Sequence, residues 1–179
     1  TVNSAEIIWV QESIFDYFKL ALKDFVSDQV TIGSLDSADT TLGSMLTPQR
    51  AQDIQELVDD AVQRGAELVL GGSTAPDLGP SFFEPTILAR VPQDAMICER
   101  ELHGPLIYLQ PFQDLTEVSR FLGTSRHSYC IYLYTGSEFT MRDFIHAADG
   151  AAVVINDSYL SLYSTWQAPI QGIRSTGSG

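Results

Sequence analysis

FFEPTILARV (residues 82–91) and LIYLQPF (106–112) are apolar runs of strand length in which polar residues are too few to alternate with apolar ones. A strand that does not alternate is covered on both faces, which is the condition of a strand in a parallel sheet flanked by helices. Outward from this pair the pattern repeats. EIIWVQ (6–11), ELVLGG (67–72), CIYLYT (130–135) and AAVVIN (151–156) read as further buried strands. Helix signals fall between them. Ser13 and Asp16 form a capping-box-like start to a helix with an apolar face of Ile14, Phe18, Leu22 and Phe25, ending near Asp28. After a turn-rich connection (33–46), Thr47 and Pro48 open a second helix that turns Ile54, Val58 and Ala61 inward and stops at Gly65. Asp114 and Glu117 cap a short helix ending at Gly123, and an amphipathic helix lies near 138–148. Strand and helix in repeated order predict an α/β fold, a mostly parallel sheet with helices on both faces.

The 179 residues, 44% hydrophobic, suffice for one core, and the whole chain (1–179) is expected to be a single domain. Ten basic residues against 23 acidic ones give a net charge of −13, which repels nucleic-acid phosphates and anionic membrane surfaces. Neither partner is expected. No apolar run has the length of a membrane span, and TVNSAEIIWV lacks the plan of a signal peptide, so a cytoplasmic protein is expected. Thr1 is not a methionine, which leaves room for upstream sequence. Cys98 and Cys130 are too few for a disulfide scaffold and read as reduced, buried thiols.

The common chemical signatures are missing. No G-x-G-x-x-G follows a strand, and neither a phosphate-binding G-x-x-x-x-G-K-[ST] nor a G-x-S-x-G occurs. His103, His127 and His146 are too widely spaced to suggest a metal site. Gly172, Gly177 and Gly179 read as a tight turn rather than a phosphate cradle. Glu101 and His103, two apart, offer a carboxylate and an imidazole for acid–base work, or else a solvated edge.

Taken in order, several segments resemble the aldehyde dehydrogenase superfamily. WVQESIFDYF resembles the strand and helix that follow the family's catalytic cysteine, and VTIGSLDSADTTLGSML its next connection. FFEPTIL resembles the family's "ePTvl" strand, ERELHGPLIYLQPF its E-E-x-F-G-P-V segment, AAVVIND the strand ending in asparagine, and APIQGIRSTGSG the P-F-G-G-x-K-x-S-G-x-G close. The resemblance runs from about residue 7 to residue 179 and implies the fold of that family's catalytic domain, without its Rossmann-like cofactor domain.

The departures bear on function. The resemblance places the family's nucleophilic cysteine near Val2 and Asn3, where TVNSAE holds none. It places the general-base glutamate, the oxyanion asparagine and the cofactor domain upstream of this sequence. Glu101 falls at the family's nicotinamide-ribose ligand, but Arg100 replaces the preceding acid and His103 the phenylalanine beside the nicotinamide. Ser44 replaces a proline, and Ile170 and Gln171 replace the Phe-Gly of the closing motif. No cofactor is expected, nor NAD(P)-dependent aldehyde oxidation.

Between Asn156 and Pro169 the loop DSYLSLYSTWQA is longer than the family's and carries Tyr159, Tyr163 and Trp166, the surfaces that either a pocket for a hydrophobic small molecule or an exposed patch would use. The first expectation is a cofactor-independent enzyme that cyclises or isomerises such a molecule by holding it in a reactive shape. Its catalytic groups would be His103, Glu101, Tyr159, Tyr163 and Trp166. The alternatives are a non-catalytic protein that associates with itself or with a full-length relative, and a fragment of an aldehyde dehydrogenase.

Overall fold

The computed structural model describes residues 5–100, 102–124, 130–147 and 152–157. The chain divides into two compact units, Thr1–Gln113 and Asp114–Gly179.

In the first unit a four-stranded sheet runs in the order β1 (Ile7–Gln11), β4 (Leu106–Phe112), β3 (Thr86–Ala89), β2 (Glu67–Leu70). β1 and β3 both lie parallel to β4, in registers that place Ile7 opposite Tyr108 and Leu88 opposite Tyr108. β2 pairs antiparallel with β3 and slips register between Leu68 and Leu70. The expected buried strand at 67–72 is therefore an edge strand. Glu67 and Leu68 are exposed, because only one neighbour covers that side.

Successive side chains of a strand point to opposite faces, and here the two faces meet different helices. Val10, Ile87, Ala89 and Leu109 join a core completed by α1 (Phe15–Gln29) through Phe15, Phe18, Leu22 and Val26. Leu88, Leu106 and Tyr108, on the other face, join the core built on Ala51, Ile54, Leu57, Val58 and Ala61 of α2 (Pro48–Gln63). Helices thus cover both faces, as the unbroken apolar strands require.

The helix starts came out unequally. α2 begins where the sequence placed it: the Thr47 side chain accepts the Arg50 backbone N–H at 3.3 Å, Pro48 opens the helix, and Gly65 stops it at φ 109°. α1 does not. A 3-10 turn, Glu12–Ile14, precedes it, and neither Ser13 nor any other side chain caps it. The buried face shifts accordingly to Phe15, Phe18, Leu22 and Val26, leaving Ile14 52% and Phe25 62% exposed. Phe15 sets this phase: its ring lies 4.6 Å from the guanidinium of Arg90, which also binds Glu12 at 2.9 Å.

In the second unit β5 (Cys130–Leu133) pairs in parallel with β6 (Ala152–Ile155), and α3 (Leu115–Thr124) and α4 (Glu138–Ala147) fall where their apolar spacing put them. The capping box of α3 is reciprocal. Asp114 Oδ1 accepts the Thr116 N–H at 2.8 Å, and Glu117 Oε1 accepts the Asp114 N–H at 3.1 Å. Among the described residues no helix is long and apolar enough to cross a membrane.

Candidate functional site

Because β1, β3 and β4 are parallel, their amino ends share one edge of the sheet, and the segment that enters β4 there is the one carrying Arg100 and His103. Three hydrogen bonds fix it. Glu6, just ahead of β1, accepts the Leu102 N–H on its carboxylate at 3.2 Å and the Tyr108 N–H on its carbonyl at 3.0 Å, and Pro105 accepts the Thr86 N–H at 2.8 Å. Leu102 is buried, so it anchors the segment, while Arg100 and His103 on either side are exposed. Gly104 permits a close approach to α2: a Cβ there would meet Ile54 at 2.9 Å and Met45 at 3.1 Å.

That approach creates a hollow of about 190 Å³ lined by Arg50, Asp53, Ile54 and Leu57 of α2 together with Arg100 and His103. Ile54 and Leu57 are buried and give it an apolar floor. A second, more open hollow of about 480 Å³ lies between α2 and the 74–80 turn, lined by Gln52, Gln55, Glu56, Thr74, Pro76 and Pro80. Its Gln55 side chain is engaged, donating to the Gly72 carbonyl at 2.9 Å and accepting the Thr74 N–H at 3.2 Å.

Of the five residues the sequence nominated, His103 alone lies within the described residues. Glu101, Tyr159, Tyr163 and Trp166 lie outside them, as do Val2 and Asn3 at the expected nucleophile position. The neighbours His103 gains, Arg50 and Asp53, went unnoticed in the sequence. They stand some fifty residues upstream on a helix whose pairing with this segment only the packing at Gly104 sets.

Neither cysteine has the surroundings of a nucleophile. Cys98 is half buried beside the core; its sulfur accepts from the Tyr108 hydroxyl at 3.8 Å and faces the Pro92 carbonyl at 3.5 Å. Burial pushes its thiol pKa up, only partly countered by the Tyr108 hydroxyl, and burial likewise raises Cys130. Tyr108 itself is pushed well above the ordinary phenol range by burial, so its hydroxyl stays protonated.

A model of the aldehyde dehydrogenase family matches residues 2–179. A glutarate-semialdehyde dehydrogenase of Pseudomonas aeruginosa is 31% identical over 179 residues, which is 100% of this chain and 36% of that protein. A putative succinate-semialdehyde dehydrogenase [NADP(+)] of Mycobacterium ulcerans is 27% identical over 98% of this chain and 34% of its own length. Among solved structures, succinate-semialdehyde dehydrogenase from Burkholderia pseudomallei superposes with a TM-score of 0.85 at 29% identity, over 96% of this chain and 34% of that one. The chain spans about a third of the length of these relatives.

Proposed function

Because the chain belongs to the aldehyde dehydrogenase family, we propose that it is a segment of such a protein's catalytic domain that frames the reactive site but does not itself carry the acyl-forming thiol. The observation behind this is the distribution of sulfur. The family match includes Val2 and Asn3, where the resemblance puts the nucleophile, and neither is a cysteine. The chain's two thiols, Cys98 and Cys130, are instead half buried and held protonated by desolvation. An acyl thioester needs an accessible thiolate.

The 179-residue chain, incubated with NAD or NADP and a panel of semialdehydes, is therefore expected to leave the cofactor oxidised. Sustained growth of reduced-nicotinamide absorbance would overturn the proposal. Cofactor-independent cyclisation or isomerisation draws no support from these relatives, whose names describe dehydrogenases, and its aromatic loop lies beyond the described residues. Self-association has one supporting observation: Ile14 just ahead of α1 and Tyr17 and Phe25 on its flank have 52%, 79% and 62% of their surface exposed, an apolar stripe a second copy could cover. Light scattering tests it, and a strict monomer at high concentration removes it. Two free thiols support a reducing, cytoplasmic setting.

A further inference from the structure

We propose that the hollow between the first turns of α2 and the segment before β4 binds a phosphate group. Charge is the first argument. The chain carries only ten basic residues at a net charge of −13, yet among the described residues that line this hollow two guanidiniums, Arg50 and Arg100, stand against one carboxylate, Asp53.

Partnering is the second argument. Lys19, Arg64, Arg90 and Arg142 each answer a carboxylate, with contacts of 2.6–2.9 Å to Glu67, Asp60 and Asp94, Glu12 and Glu138. Arg50 and Arg100 do not: neither guanidinium has an ion-pair or hydrogen-bond partner among the described residues. Asp53, the one acid of the described lining, already accepts from Gln49 Nε2 at 3.0 Å. The guanidinium donors of Arg50 and Arg100 are therefore not used by the described residues.

Shape then selects the ligand. A volume of about 190 Å³ falls short of the roughly 300 Å³ at which pockets begin to hold drug-sized molecules, so it takes a small anion or the charged end of a larger one. Two guanidinium forks from different elements offer more donors than the two oxygens of a carboxylate occupy. The three terminal oxygens of a phosphate group can accept from all of them. Buried Ile54 and Leu57 beneath keep water from part of the contact and strengthen it. The site consists of this chain's residues alone, and its test needs no dehydrogenase activity.

The test is titration of the 179-residue chain with inorganic phosphate at constant ionic strength, following the His103 ring resonances by NMR. A saturable shift with Kd on the order of 1 mM is expected. Arg50→Gln and Arg100→Gln should each weaken it about tenfold, the loss of one charge-assisted contact. Asp53→Asn should tighten it several-fold, a gain that a misfolded chain cannot imitate. A phosphomonoester, glycerol phosphate, should bind at least as well as inorganic phosphate, and succinate more weakly. An unsaturated titration, an unchanged one in the Arg50→Gln/Arg100→Gln double variant, weaker binding by Asp53→Asn, or preference for succinate would each overturn the assignment.

Discussion

Cys98 shows how a residue's chemistry is set by what surrounds it. Its sulfur lies against the Tyr108 hydroxyl and the Pro92 carbonyl, and burial raises its pKa. At neutral pH its alkylation is expected to be several-fold slower than that of a free cysteine, because only the thiolate reacts. Full reactivity should return in denaturant, and fast alkylation of the native chain, read by mass spectrometry, would contradict the geometry. Asn156 is constrained by backbone as well as side chain. It sits at φ 53°, a region that asparagine tolerates better than most residues. Its amide binds the Thr135 N–H and carbonyl, each at 2.8 Å, tying the end of β6 to the end of β5. Asn156→Ala loses both bonds while keeping the unfavourable φ, and is expected to cost about 1–3 kcal/mol in a denaturant melt. Asparagine at a strand end was visible in the sequence, whereas its bond to a residue 21 positions away was not.

At the scale of elements, α1 and α2 separate what periodicity can and cannot establish. Both helices are amphipathic, but the phase of a helix against a sheet depends on which residue wins the central contact. For α2 the Thr47-Pro48 start fixed it locally. For α1 the stacking of Arg90 on Phe15 rotated the buried face by about one residue, and that pairing spans 75 positions of sequence. A second long-range tie holds α2 to the turn at Met96–Cys98. Asp60 accepts the Met96 N–H at 2.8 Å and also binds Arg64 at 2.8 Å. The Met96 N–H, and after it Arg64, holds the Asp60 carboxyl below the usual carboxylate range. A depressed folded-state pKa contributes stability that is present above the unfolded-state value and is lost as pH falls through the folded one. Asp60→Asn is thus expected to lower the melting temperature at neutral pH and to leave a shallower loss of stability in acid. Parallel acid limbs for the two proteins would show that Asp60 contributes nothing.

For the molecule as a whole the governing quantity is charge. A net charge of −13 on a chain whose described ion pairs are mostly solvent-exposed leaves repulsion that local pairs do not cancel. Raising ionic strength from about 0.01 M to about 0.15 M contracts the screening length from roughly 30 Å to roughly 8 Å. The melting temperature should therefore rise with sodium chloride, and a calorimetric scan showing a fall would mean that attractive pairs dominate.

The sequence by itself established the α/β class, the six strands, the α2 start and the family, because each rests on interactions between residues near in the chain or on motifs kept in order. Tertiary structure alone decided that β2 is an antiparallel edge strand, that α1 packs Phe15 and Val26 rather than Ile14 and Phe25 against the core, and that Arg50 meets Arg100 and His103 over one hollow. Those outcomes depend on which distant surfaces touch, and a local pattern constrains the face a segment buries far more tightly than it constrains the partner that face will meet.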